Sequence, residues 1–420
     1  MTTDDRTDVG PGSRGARIDS IDVLRGVALF GILLLNITLF GLHSAGYFNP
    51  LVPLGETVAD RELNVRVWGA VSVLFEGAMR ALFSMLFGAG VVLFTAGRVN
   101  ARSLHFRRNL WLFTFGLVDA FLLLWTGDIL MVYALAGMIL YGLRDWSPRR
   151  LVITSAVLMA VMGVGLGGAG GYFEQLRTVD PSDPEWTEFA AQNNPPVEAY
   201  EEELAERRAS YRSAFAWSAE HMVGVIGISF VLLVPDALAM MLLGMALFKV
   251  SVLDASRSIG WYARLAVVGF GIGLATNLWE LRQALVADLD LLATFAIFVP
   301  TYHLGRLAMA LGHLGLVMIM CKCGALPRLR GAFAAVGRMA LTNYLMHSVI
   351  CLVLFTGLGF ALAGVLERWQ LYPIVFAIWA FQLWFSPWWL VRYRFGPAEW
   401  IWRSLTYGTR QPLKRAAVAY

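Results

Sequence analysis

The sequence is poor in charge: of 420 residues only 15% are Asp, Glu, Lys or Arg, while 58% are hydrophobic. A soluble domain carries about a quarter charged residues, so composition excludes an ordinary soluble enzyme and points to a protein solvated largely by lipid. Cysteine is nearly missing. Cys321 and Cys323 form a C-x-C and Cys351 lies in an apolar run, with no second pair to complete a zinc site, so reduced structural thiols are expected and no metal. Soluble-enzyme motifs are missing too: no P-loop, no G-x-G-x-x-G after a strand, no G-x-S-x-G and no H-E-x-x-H. The net charge is +4, but no basic stretch interleaved with aromatics lies on a polar surface, which excludes nucleic acid as a partner. No internal repeat stands out, which weakens an inverted-repeat transporter reading. No small-x-small cleavage site follows the first apolar run, so that run reads as an uncleaved signal anchor.

What is present is a succession of apolar windows long enough to cross a bilayer. They fall at 21–42, 67–96, 109–125, 128–143, 150–172, 214–249, 263–280, 291–320, 333–358 and 372–391. The expectation is an all-α, polytopic transmembrane helix bundle of about ten spans. Window 214–249 is broken by Pro235-Asp236 and reads as one kinked helix or two short ones. Window 291–320 contains Pro300 together with His303, Arg306 and His313. Charge decides how to count them. With one span each, the loops holding Arg98 to Arg108, Arg144 to Arg150, Lys249 to Arg264 and Lys322 to Arg330 share a side with the basic tail 392–420. The acidic loop 173–213 falls on the other side. The positive-inside rule then places both termini in the cytoplasm. The resulting division is a disordered N-terminus 1–20, a transmembrane half 21–172, the extracytoplasmic loop 173–213, a second transmembrane half 214–391 and the tail. Within the acidic loop, Val197 to Tyr211 predicts a short amphipathic helix over the outer mouth.

Polar groups inside these runs are costly, so each is a candidate site. Eleven residues separate Arg25 from Asn36, which at 100° per residue returns them to within about 20° on one stripe, with Asn36 roughly 16 Å deeper. Arg25 either snorkels and pairs with Asp22 or meets an anionic ligand; Asn36 either clamps a neighbouring helix or orients a substrate. Glu76 and Arg80, four apart, predict an ion pair on one helix face. Asp119 lies below a short outer turn, as a base or as the partner of Arg80 or Arg338. Asp128 opens the next helix, where an N-cap role competes with function, and Tyr133 follows it. Asn343 and His347 share a face, with Arg338 one and a half turns nearer the cytoplasm; a His there packs or serves as a general base. His43, His303 and His313 are weaker, His43 being explained by a wet interface. The glycines from Gly163 to Gly171 predict close helix packing.

These residues carry a resemblance. Ile21-Asp-Val-Leu-Arg-Gly-Val-Ala-Leu-Phe-Gly-Ile-Leu-Leu-Leu-Asn-Ile37, followed by Tyr47-Phe-Asn-Pro50, resembles the opening of YeiB-like bacterial membrane proteins. So do Leu82-Phe-Ser-Met-Leu-Phe-Gly88, Gly127-Asp-Ile-Leu130, Gly337-Arg-Met-Ala-Leu-Thr-Asn-Tyr344 and the tail Phe395-Gly-Pro-Ala-Glu-Trp-Ile-Trp-Arg-Ser-Leu-Thr406. The later half, from about residue 235, resembles domain of unknown function 418. The group is placed with transmembrane acyltransferases related to heparan-α-glucosaminide N-acetyltransferase. That resemblance implies a multi-pass protein of the bacterial plasma membrane that moves an acyl group from cytosolic acyl-CoA, acetyl-CoA foremost, to a hydroxyl or amine of a glycan or lipid acceptor. It implies that Arg25 and Asn36 are matching positions, with Asn36 at or near the acyl-transfer site; the polar residues within the other apolar runs add Asp119, Asn343 and His347 as further catalytic candidates. Arg25, Arg80, Asp128, Tyr133 and Arg338 are the substrate-binding candidates. The chain departs from the pattern in having Asp119 where His is common, His347 where Gln is frequent and His43 where Pro is frequent. The competing reading is a transporter or permease for a small solute or lipid. The oligomeric state stays open, a homodimer included.

Overall fold

The computed structural model describes residues 19–52 and 57–415. The expected disordered segment 1–20 therefore lies, apart from Asp19 and Ser20, outside the described residues. Among the described residues there is no strand, only an isolated bridge between Tyr393 and Lys414. The helices are α1 (Asp19–Gly41), α2 (Val58–Phe75), α3 (Ala78–Thr95), α4 (Ala101–Phe121), α5 (Leu130–Leu143), α6 (Pro148–Val179), α7 (Pro184–Asn193), α8 (Val197–Ala209), α9 (Tyr211–Ile228), α10 (Val234–Lys249), α11 (Ile259–Val286), α12 (Leu291–Lys322), α13 (Pro327–Arg338), α14 (Ala340–Phe355), α15 (Arg368–Arg392) and α16 (Pro397–Tyr407).

Seven helical stretches among these residues are long and apolar enough to cross a membrane, and an eighth is the bent pair α13–α14. The two remaining sequence windows correspond to α4 and α5. α4 opens with Arg102, Arg107 and Arg108 in its first two turns. α5 has 14 residues, about 21 Å of helix against a hydrocarbon core of about 30 Å. Both overlong windows run as single paths. α9 passes into α10 through a π-helical turn at Ser229–Leu233, and α12 continues through Pro300.

Two windows are interrupted where the sequence predicted a single span. Window 67–96 breaks at Glu76-Gly77, where Gly77 takes the left-handed conformation (φ 64°) that a side chain disfavours. Window 333–358 turns through 82° between α13 and α14. Arg338 thus ends one helix and Asn343 begins another, which overturns the placement of Arg338 along a common axis.

α1 forms the centre. It is apolar almost all round and correspondingly buried, with only Asp19, Arg25, Val27, Asn36 and Leu39 retaining solvent access. Its backbone meets that of α13 directly: a Cβ on Gly337 would sit 1.9 Å from the Asp22 carbonyl oxygen, and one on Gly26 2.3 Å from that of Phe333. α3 and α10 meet the same way, Gly88 against the Met241 carbonyl and Gly244 against that of Met85. The predicted packing at Gly163 to Gly171 is found on one face of α6 only: Cβ atoms on Gly163, Gly167 and Gly170 would lie in ordinary contact with Val299 or Phe295 of α12, while Gly165, Gly168 and Gly171 face open space. Glycine content alone does not say which helix face a neighbour covers.

The predicted helix over the far end of α1 is α8. Arg207 donates to the carbonyls of Leu39 (3.2 Å), Phe40 (2.5 Å) and Leu42 (2.7 Å), filling acceptors that a helix end leaves unpaired. Glu203 pairs with Arg207 at 3.0 Å and accepts from the Ser44 amide at 3.0 Å.

Candidate functional site

At the Asp19 end of the bundle, guanidinium groups from distant parts of the chain converge. Arg25 pairs with Asp22 at 3.1 Å and reaches the Gly337 carbonyl at 3.5 Å. Arg108 of α4 lies between the rings of Phe94 (4.7 Å) and Trp402 (4.5 Å). Arg98 also lies over Phe94, at 4.6 Å, and donates to the Tyr407 hydroxyl at 3.0 Å. Arg403 of α16 lies over Phe395 at 4.6 Å, and Arg403, Arg25 and Arg98 are all within electrostatic reach of Arg108. Among the described residues, no carboxylate is within ion-pair distance of Arg98 or Arg108. α16 is fixed there by Trp402, which donates to the Arg108 carbonyl at 2.8 Å, and by Arg107, which donates to that of Leu405 at 3.1 Å. Sequence reasoning saw basic loops but not this cluster, because Arg98, Arg108 and Arg403 meet only in the folded chain.

Asn36 stands deeper along α1 and is half-buried, with Leu29 and Leu33 between it and Arg25 fully buried. It makes no hydrogen bond to Arg25, Asn343 or His347. One turn later on the same face, Phe40 stacks on Trp125 at 4.0 Å, and the Trp125 amide donates to the Asp119 carbonyl at 3.1 Å. The Asn36 face of α1 is thereby directed toward the α4–α5 turn.

That turn holds the two acidic candidates. Asp119 is fully buried, and neither of its carboxylate oxygens has a hydrogen-bond partner. Asp128 and Ser348 are its neighbours. It pairs with neither Arg80 nor Arg338, the partners that the sequence offered as the alternative to a role as base. The Asp128 carboxylate accepts from the amides of Leu130 (3.1 Å) and Met131 (3.0 Å), so its helix-capping role is real.

α14 links this turn to α15. Tyr344 accepts from the Trp125 indole at 2.9 Å and the Ile129 amide at 3.3 Å. On the neighbouring face, Asn343 donates to the Val336 carbonyl (3.2 Å) and Ser386 (3.1 Å), while His347 meets Gln382 at 3.1 Å. Gln382 in turn donates to the Asn343 carbonyl at 3.0 Å. The structure thus brings Asn343 and His347 together, as their spacing predicted, with two partners the sequence reading missed. Gln382 and Ser386, four apart in an apolar run, carried the same helical signal. Arg25 and Asn343 are joined only indirectly, through adjacent carbonyls at the end of α13. Beyond this region, a small cavity of about 50 Å³ lies between the far end of α1, the α4–α5 turn and α8, with Phe40, Trp125, Glu203, Arg207 and Cys351 in its wall.

The remaining two candidates, Arg80 and Tyr133, meet in a second polar cluster. Arg306 of α12 binds both oxygens of Asp236 on α10 and also approaches His303 at 2.8 Å. Arg80 lies 3.9 Å from Asp236 and donates to the Tyr302 hydroxyl at 2.9 Å. Tyr133 bonds to Ser84 at 2.7 Å and reaches the Arg80 carbonyl at 3.3 Å. The predicted Glu76–Arg80 pair does not form. The bend at Gly77 takes Glu76 off the helix of Arg80, and Glu76 instead accepts from the Tyr47 hydroxyl at 2.6 Å. His43 also differs from expectation: it is buried beside the Tyr200 ring, not at a wet interface.

Comparison with known proteins gives relatives over nearly the whole length. The chain is 31% identical over 400 residues to the uncharacterised protein YeiB of Escherichia coli, covering 94% of this chain and 97% of that one. It is 29% identical over 424 residues to the uncharacterised protein YxaH of Bacillus subtilis, covering 95% and 96%. Residues 247–409 match the family described as protein of unknown function DUF418. No solved structure matches.

Proposed function

Since the chain belongs to the DUF418 family of YeiB and YxaH, a group whose resemblance to membrane acyltransferases is set out above, we propose that it is an integral-membrane acyltransferase using acyl-CoA. The observation that carries this reading is the guanidinium cluster of Arg25, Arg98, Arg108 and Arg403 at the mouth of the central helix. Guanidinium forks match phosphate oxygens, and the Phe94 and Trp402 rings beside them offer faces for a base. In this reading the Arg-rich end faces the cytoplasm, the ten windows are all spans, and the protein is multi-pass in the bacterial plasma membrane.

The acyl thioester then extends along α1 toward Asn36. An acceptor hydroxyl or amine, on a glycan or lipid entering from the α8 side, attacks the thioester carbonyl carbon. A carbon–oxygen or carbon–nitrogen bond forms, the carbon–sulfur bond breaks, and CoA leaves as the thiolate, which takes a proton. The bonding pattern distinguishes among the candidates. Both Asn343 donors are committed to Val336 and Ser386, and His347 Nε2 is committed to Gln382. Asn36 makes no side-chain hydrogen bond among the described residues, and the Asp119 carboxylate, with Ser348 and Asp128 beside it, meets no donor at bonding geometry. Asn36 is therefore assigned to hold the developing oxyanion and Asp119 to take the acceptor proton, while Asn343 and His347 position α14.

The test is thermal stabilisation of the purified protein by CoA and acetyl-CoA, followed by acyl transfer. CoA stabilises the wild type, Arg108→Ala weakens that response at least tenfold, and Asn36→Ala abolishes transfer at unchanged melting temperature. CoA without effect rejects the donor site; full transfer by Asn36→Ala rejects the oxyanion assignment. The transporter reading draws on the second cluster, in which charged groups on α3, α10 and α12 meet beside a π-helical turn. Counterflow of a solute in proteoliposomes, with no response to CoA, is the result that favours it.

A further inference from the structure

Arg80 is under-used for a buried guanidinium. Its one close side-chain partner is the neutral Tyr302 hydroxyl, and its buried Nε has none. Asp236, the nearest carboxylate, is already held by two contacts from Arg306, whose side chain is 1% exposed. Arg80 itself is 28% exposed. Its depth makes this exposure informative. Fifteen residues separate Arg80 from the end of α3 at Thr95, about 22 Å of helix, and Arg306 lies near the middle of the 32-residue α12. With these helices as spans, as in the reading above, both guanidiniums lie near the centre of a hydrocarbon layer about 30 Å thick.

A guanidinium at that depth does not present a quarter of its surface to acyl chains, because lipid supplies no acceptor and the cost is several kcal/mol. The exposed part of its side chain therefore opens on space inside the bundle. At ion-pair distance two guanidiniums meet one carboxylate, Asp236, while Glu76, tied to the Tyr47 hydroxyl, acts on Arg80 from farther off; the planar fork selects for an oxygen anion. Tyr302, which lies under Arg306 at 4.8 Å, and Tyr133, tied to Ser84, supply further hydroxyls beside it. Gly77 is required here: a Cβ would fall 2.6 Å from the Tyr302 hydroxyl, so the α2–α3 bend leaves room for that ring.

We propose that Arg80 and Tyr302, braced by the Asp236–Arg306 pair, form a receptor at the middle of the bundle for a single oxyanion, a carboxylate or phosphate monoester. The site is separate from the donor cluster at Arg108. Its ligand arrives either as a soluble anion through a wet cleft or as the head of an amphiphile from the bilayer, and the recognising chemistry is the same.

The experiment uses the full chain in lipid nanodiscs, with melting temperature recorded against acetate, inorganic phosphate, octanoate and octyl phosphate. Octylamine and octyl glucoside are the cationic and neutral controls. Saturable stabilisation by at least one oxyanion and by neither control is expected. Stabilisation by the soluble pair places the entrance in water, and by the octyl pair in the bilayer. Arg80→Gln weakens the apparent affinity at least tenfold, and Tyr302→Phe weakens it severalfold while keeping the charge, so Tyr302→Phe decides if Arg80→Gln fails to fold. Arg108→Ala loses the CoA response but keeps the oxyanion response, which separates this site from the acyltransferase reading. The proposal is overturned if no oxyanion stabilises the wild type, or if both site variants respond as the wild type does.

Discussion

Asp236 is the residue whose charge the bundle can least spare. It is buried, binds Arg306 through both oxygens and lies 3.9 Å from Arg80, so it is the shared anion of three helices. Asp236→Asn keeps the shape and one acceptor but leaves Arg306 as a buried, uncompensated charge. Breaking one partner of such a pair costs about 3–5 kcal/mol. That is about two to nearly four decades in the folding equilibrium, at about 1.4 kcal/mol per decade. Taking about 2.1 cal/mol/K per residue for the unfolding entropy of a chain this long, the melting temperature falls by about 3–6 °C. The informative assay is a double-mutant cycle in mixed micelles titrated with denaturing detergent. Asp236→Leu with Arg306→Met removes both charges, and stability recovers by at least half of the single-variant loss. If Asp236→Asn stays within about 0.5 kcal/mol of wild type, or the double variant is no better than the single, the pair is not the mid-bundle tie described above.

Other contacts give further expectations. Gly337→Val forces α1 and α13 apart, because even a Cβ meets the Asp22 carbonyl at 1.9 Å, so folded yield collapses, whereas Gly331→Ala on the same helix meets nothing and gains up to about 1 kcal/mol in helix propensity; comparable yields for the two contradict the direct backbone contact. Arg207→Ala leaves the end of α1 uncapped and Glu203 buried without its cation, a loss of about 3 kcal/mol by detergent titration, with Arg207→Lys restoring part; a loss below about 1 kcal/mol removes α8 as the cap. His43 gives a pH dependence. Burial, then Arg368 and Arg207, lowers its imidazole to about 4. The unfolded chain binds a proton near pH 6.5 that the folded state refuses, so stability falls with pH below that value, by about 2 kcal/mol between pH 7 and pH 5. His43→Gln removes that share of the slope, and an unchanged slope rejects the assignment.

The helical class and the apolar segments were legible because membrane helices must be long and apolar, a constraint local to each window. The continuity of 214–249 and 291–320 followed from charge bias even though both contain proline. The bends were not legible. Nothing in the periodicity around Gly77 or Met339 interrupts the apolar pattern, and what turns the chain is a left-handed glycine against Tyr302 in one case and the packing of α13 on α1 in the other. For the same reason the i,i+4 rule succeeded for Asn343 and His347 but failed for Glu76 and Arg80: the first pair lies within one helix and the second straddles a break.

Partnership across the fold was the larger loss. Asp236 read as part of a helix-breaking dipeptide, and Arg306 as one polar residue in an overlong span, although 70 positions apart they form the most buried ion pair among the described residues. Arg98, Arg108 and Arg403 read as loop charges on the side of the positive bias, a role that accounts for their sign but not for their convergence on Phe94 and Trp402. A charge at a membrane boundary has two separable causes, topology and ligand. Topology needs only that the charge lie on the correct side. A ligand needs several charges aimed at one place without counter-ions; among the described residues Arg98 and Arg108 have no carboxylate at ion-pair distance, whereas Arg144 is paired with Asp145 at 3.2 Å.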